Sequence, residues 1–297
     1  MVGVEAFAIQ ILNGLVRGSI LALIAMGLAI IFGLMGIVNF AHGAFYAAGA
    51  YVGYTVLSAT GSNGYFLALL VVPLAVAVFG IVIEMSVLRP LYERDLIYSL
   101  ILTFGLMLAI HEMIDIIWGR GGGGITYPVP SMLNFTVPLG IVQYPAYRLF
   151  VVLLASVVAM AVWLFLQRTN IGMIIRAATE NRNMVKALGI DVQRVYTIVF
   201  AVGVGIAGLA GTVHAPMVSL FPEMGVEVIV QSFVVVVIGG LNDFKGSIIA
   251  GILVGEVSAL SYLISPILTD VVIFLLMAAF LLIRPQGIAG VATGGVE

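Results

Sequence analysis

Nine apolar runs take up most of this chain, at roughly 7–35, 40–59, 65–88, 97–118, 147–167, 195–217, 225–240, 247–264 and 266–283. A helix needs about 20 apolar residues to cross the hydrocarbon core of a bilayer. The run at 225–240 is short enough to be re-entrant, and the first is long and interrupted by glycine. Charged residues make up 9% of the chain, against roughly 25% in a soluble domain. A soluble fold of 297 residues needs a polar exterior that this composition does not supply. The chain is therefore read as an all-α integral membrane protein, one domain over 1–297 with eight to nine transmembrane helices, some broken or re-entrant.

Lys and Arg are retained on the cytoplasmic side during insertion. With the 168–194 loop placed inside, Arg89, Arg94, Arg168, Arg176, Arg182, Lys186, Arg194, Lys245 and Arg284 fall on that side. Arg120 and Arg148 fall outside, and Arg17 lies near the outer end of the first run. The N-terminus is then outside and the C-terminus inside. Glu5 and the lack of a basic N-terminal region argue against a cleavable signal. The long outer connection at 119–147, with GRGGGG and Pro128, Pro130, Pro138 and Pro145, reads as an irregular loop with room for a short hairpin. There are no cysteines, hence no disulfides and no thiolate chemistry.

Three motifs resemble chemistry and fail on context. GVGIAG at 203–208 lies inside an apolar run, without the strand and acid of a dinucleotide site. Gly203, Ala207 and Gly211 instead give a face of small residues, four apart, for close helix packing. HEMID at 111–115 offers His111, Glu112 and Asp115, but the other histidines, His42 and His214, are remote in sequence, so no metal site is expected. GRGGGG lacks the Lys-Ser/Thr of a phosphate loop. No catalytic group is assigned.

Candidates for a translocation pathway are Glu256, Asn39 and His42. Glu256 lies near the middle of its run, where a carboxylate is costly unless it faces protein or water. Glycines 251 and 255 beside it would let another helix approach. Asn39 and His42 flank a helix break, where Asn39 either lines a cavity or caps the following helix. Arg17 is expected to snorkel to the interface. FGLMGIVNFAHGAF and VIGGLNDFKGSII share Gly, Asn and Phe between apolar runs, as in a duplicated transporter.

Seven of the 26 charged residues fall within 168–194. Ile174, Ala177, Ala178, Asn181, Met184, Val185 and Leu188 recur at helical spacing there, and Gly189 marks a C-terminus. This predicts an amphipathic helix suited to a protein groove, with weak anchors for a lipid surface.

These residues resemble the permease subunits of ABC importers for branched-chain amino acids, in particular the shorter partner of the heterodimer. The resemblance rests on NGLVRGSILALIAMGLAIIFGLMGIVNFAHGAFYAAGAY at 13–51, LRPLYERD at 88–95, RAATENRNMVKALGID at 176–191, AGLAGTV at 207–213, GGLNDFKGSIIAGILVGE near 239–256 and RPQGIAG at 284–290. It implies a multi-pass protein of a prokaryotic inner membrane. It also implies a second permease, two cytoplasmic ATPases that use ATP and Mg, and an extracytoplasmic binding protein; no cofactor is expected on this chain. The coupling segment would include Glu180, Asn181, Met184, Val185, Leu188 and Gly189. Ala44 and Asn242–Asp243 depart from the family pattern, so substrate contacts are not carried over. Related importers carry other amino acids, urea and amides, or small organic acids. A self-contained secondary transporter using an intramembrane carboxylate, and a purely structural subunit, are the other classes weighed.

Overall fold

A computed structural model describes residues 3–61, 64–92, 94–119, 125–241 and 243–288. Arg120, the glycines 121–124, Asn242 and the last two residues of RPQGIAG lie outside these.

Helices stand at all nine apolar runs: α1 Val4–Met35, α2 Ala41–Thr60, α3 Gly64–Ile83, α4 Leu96–Trp118, α5 Ala146–Arg168, α8 Val192–His214, α9 Met224–Gly239, α10 Phe244–Tyr262 and α11 Leu268–Ile283. Two shorter helices, α6 Asn170–Glu180 and α7 Arg182–Ala187, occupy the charged loop. Among the described residues six helices are long and apolar enough to cross a membrane: α1, α3 with its C-terminal extension, α4, α5, α8 and α10. α2 has 20 residues, but its glycines, tyrosines and histidine lower its hydropathy; α9 and α11 are 16 residues each.

α1 and α8 form the centre. Their apolar windows are 89% and 78% buried, against 22% for α4 and 17% for α5. The outer helices turn large apolar side chains outward, such as Ile101 and Ile116 of α4 and Leu153 and Val157 of α5, as lipid requires. Small residues set the central spacing. A Cβ on Gly18 of α1 would lie 2.7 Å from Ile252 Cα of α10, and one on Gly251 would lie 2.7 Å from Ala22 Cα. The small-residue face of α8 meets two helices rather than one: Gly203 faces Gly27 and Ile31 of α1, and Gly211 packs on Tyr46 O of α2. On its other side Gly208 packs against Val76 of α3.

Three of the four short strands among the described residues lie in the long connection. β2 Thr136–Leu139 and β3 Val142–Pro145 form an antiparallel hairpin turning at Gly140, whose φ is +73°, as a tight turn of this hand demands. β1 Ile125–Thr126 pairs with β4 Ser219–Leu220, just before α9. Tyr127 donates to Gly53 O of α2 at 3.2 Å, and burial pushes its hydroxyl up to about 12, so it stays a donor.

Both apolar-glycine stretches form breaks between helices. α1 ends at Gly36 and α9 at Gly240, with φ of 67° and 109°. Their continuations differ. Asp243 caps α10 by accepting from the Lys245 and Gly246 N–H groups, whereas Asn39 makes no side-chain cap on α2.

Candidate functional site

The N-terminal half of α1, the start of α5, the segment after α8, the start of α9, the end of α10 and the start of α11 line a cavity of about 670 Å3. Its lining is of two kinds. Val16, Ile20 and Ile24 recur on one face of α1 and are joined by Met224 and Val228 of α9. Beside them stand Arg17, Arg148, Glu227 and Asp270, with Gln10, Asn13, Tyr46 and His214. Arg148 Nη1 donates to Asn13 Oδ1 at 2.6 Å, and the Tyr144 hydroxyl donates to the same oxygen at 2.9 Å. Tyr46 Oη and His214 Nδ1 are 2.5 Å apart. Glu227 Oε1 accepts from Gln231 at 3.3 Å. Arg17 Nη2 stands 3.8 Å from Asp270 Oδ1, a loose ion pair between α1 and α11.

The pathway candidates read from the sequence lie elsewhere. His42 and Asn39 are fully buried at the start of α2. His42 Nε2 is 3.1 Å from Ile24 O, at the junction of α1, α2 and α8 where Gly27 makes room for its ring. His42 Nδ1 and both amide atoms of Asn39 have no hydrogen-bond partner among the described residues. Glu256 packs over Gly14, whose added Cβ would lie 2.6 Å from Glu256 Oε2; it does not line the large cavity. His111 of the HEMID motif lies 3.5 Å from Glu223 Oε1.

At the other end of the bundle the charged loop is two helices, not one. Thr169 caps α6 by accepting from the Gly172 N–H, and Asn181 caps α7 by accepting from the Met184 N–H, each at 3.0 Å. Gly189, with φ of 79°, turns the chain out of α7. The apolar stripe divides accordingly. Ala178 and Val185 are buried and Ile174 half-buried against this chain's own helices, with Ile175 buried beside the stripe, whereas Ala177 is exposed and Met184 and Leu188 are 59% and 72% exposed. Val185 is therefore a packing residue of the loop and is not available to a partner. Glu180 and Arg176 line a second cavity of about 350 Å3 with Trp163 of α5 and Lys245 of α10.

A buried charge cluster joins this loop to α3. The helix widens into a π-turn at Glu84–Leu88, a distortion frequent at functional positions. Glu84 is fully buried; it accepts from Arg89 Nη2 at 3.3 Å, from Thr197 of α8 at 2.7 Å and from the Tyr92 hydroxyl. Tyr92 stands edge-on to Tyr196, over which Arg182 of α7 places its guanidinium at 5.6 Å.

The family described as branched-chain amino acid transport system / permease component matches residues 10–281. The chain belongs to that family. The permease is 29% identical over 303 residues to the high-affinity branched-chain amino acid transport system permease protein LivH of Salmonella typhimurium, covering 96% of each chain. It is 28% identical to BraD of Pseudomonas aeruginosa over 95% of each. A more distant relative is LivM of Escherichia coli, 25% identical over 78% of the permease and 59% of LivM. No solved structure matches it. The permease is thus an amino-acid transport protein of the membrane.

Sequence reasoning missed the charged residues of the large cavity. Arg17 and Asp270 each lie in or at the edge of an apolar run, and an ionisable residue there signals function. Glu84 carried the same signal inside the third run. Reading Arg17 as a snorkelling residue left out its neighbour Asp270, which is 253 positions away in sequence, on α11.

Proposed function

We propose that this chain is one of two permease subunits of an ATP-driven importer that carries branched-chain amino acids into a prokaryotic cell. The observation that carries the reading is the large cavity: charges of both signs beside an apolar lining, in a chain of this family. An amino acid with an apolar side chain needs both. The relatives named LivH and LivM support a second, different permease as partner, which would close the cavity's open side, where Glu227 and Asp270 are exposed on the single chain. Closure would exclude water and strengthen the charge interactions inside.

The N-terminus and the 125–145 connection face outward in this reading, toward an extracytoplasmic binding protein, and α6–α7 face the cytoplasm. Met184 on α7 and Leu188 just after it, both exposed beside Glu180, Asn181 and Gly189, form the surface that docks on a cytoplasmic ATPase. ATP and Mg belong to two such partner subunits. Exposed apolar side chains in an otherwise polar loop are what a groove would bury. Purification of the tagged chain from its native membrane tests the assignment. A second permease and two ATPases should co-purify, and the reconstituted assembly should take up leucine only with ATP. Uptake by the chain alone, driven by an ion gradient, would contradict it.

A further inference from the structure

The large cavity contains a loose ion pair beside two closely bonded polar pairs. Arg148 is held by Asn13 at 2.6 Å and Tyr46 meets His214 at 2.5 Å. Arg17 and Asp270, 3.8 Å apart, are wider than the roughly 2.7–2.9 Å of a direct charge-assisted hydrogen bond. They stand on different helices, so nothing in the backbone forces them closer. Thr269, beside Asp270, also lines the cavity, with its Oγ1 turned into the packing, where it has no hydrogen-bond partner among the described residues. Ile20 and Ile24 follow Arg17 along α1, and Val228 faces the same space from α9.

We propose that a zwitterionic amino acid with an apolar side chain binds here by exchange with the Arg17–Asp270 pair. Its carboxylate accepts from the Arg17 guanidinium, a fork that matches a carboxylate with two parallel hydrogen bonds. Its ammonium donates to the Asp270 carboxylate, which is open to the cavity. The side chain lies against Ile20, Ile24 and Val228. The exchange replaces one cation–anion contact by two, leaves no charge unpaired and adds no net charge to the cavity. An organic acid would take Arg17 from Asp270, and an amine would take Asp270 from Arg17 and leave it only Glu227 among the carboxylates of the lining, so each makes one of the two charge contacts. Urea and simple amides carry neither charge. The bound zwitterion also ties α1 to α11. This inference rests on the importer reading for its biological role and adds the substrate contacts to it.

The test is equilibrium binding of radiolabelled L-leucine to the purified full-length chain, with its co-purifying subunits, in lipid nanodiscs. Unlabelled 3-methylbutylamine and 4-methylpentanoate are the competitors. Saturable leucine binding is expected, with both competitors weaker by about tenfold or more, since each makes only one of the two charge contacts. Arg17→Gln should weaken leucine by about tenfold or more while sparing the amine, and Asp270→Asn should weaken leucine while sparing the acid. The doubly exchanged Arg17→Asp, Asp270→Arg chain keeps the pair and should recover leucine binding, which separates a lost contact from a lost fold. Three results would overturn the proposal: no saturable leucine binding by the wild type, unchanged leucine binding in both single variants, or equal loss of all three ligands in each. ATP-dependent leucine uptake, measured on the same preparations, separates the two readings. Uptake that survives both single variants removes the site and leaves the importer; the crossed binding pattern without any ATP-dependent uptake does the reverse.

Discussion

Individual residues in this protein act mainly through how close they allow two helices to come. Gly255 packs directly on the Gly18 backbone, so a side chain there must push α10 off α1. Gly255→Leu is expected to cost about 1–3 kcal/mol or more through overpacking. A lower thermal midpoint and a poorer yield of the purified chain would report it. Gly105→Leu is the control: Gly105 is exposed on α4 with nothing near its missing Cβ, and it should be silent. Equal behaviour of the two variants would contradict the α1–α10 packing. Much of this was legible: glycines four apart in an apolar run already announce a close crossing. Which helix answers was not. The sequence shows Gly251 and Gly255 but not that Gly18 and Ala22 face them, because that pairing is a property of the folded bundle. Asn39 and Glu256 show the converse. Their chemistry singled them out, yet one is buried away from the large cavity and the other packs over Gly14.

At the scale of elements, the α6–α7 loop is where a partner's motion would enter. Its helical spacing was readable, but not the break at Asn181, because the apolar periodicity runs through it while the Asn side chain quietly caps a second helix. The break decides which substitution is informative. Leu188→Arg alters an exposed position and should leave insertion intact while abolishing capture of the ATPases in a pull-down. Ala178→Arg would bury an unpaired charge in the chain's own packing, at about 3–5 kcal/mol by analogy with a broken buried pair, and should lower expression instead. Normal ATPase capture and transport by Leu188→Arg would remove α7 from the docking surface. The buried cluster behind the loop offers a second check. Glu84→Gln keeps the shape but takes the anion from Arg89, and the Tyr92–Tyr196–Arg182 contacts run from there to α7. The expected signature is ATP hydrolysis that persists while the number of substrates moved per ATP falls. A parallel loss of both would indicate a merely structural role.

For the whole molecule, the all-α class followed from hydropathy alone, since lipid permits little else. The count of crossings did not follow so directly. Helices form at all nine runs, but α2 owes its burial to neighbours rather than to its own apolarity, and α9 is short. The distribution of Lys and Arg sets the expected orientation. Single cysteines test it cleanly, because the chain has none of its own. An impermeant thiol reagent on intact cells should label Ser131→Cys and spare Asn183→Cys, and the reverse pattern would invert the topology. The large cavity needed the folded chain, since it gathers groups from residue 10 to residue 270. The most direct test of the central claim is uptake by the reconstituted assembly. Proteoliposomes holding this chain and its co-purified subunits, with the binding protein outside and ATP inside, should accumulate L-leucine and should stop when ATP is replaced by a non-hydrolysable analogue. Accumulation that persists without ATP hydrolysis, or that this chain achieves alone under an ion gradient, would contradict the account.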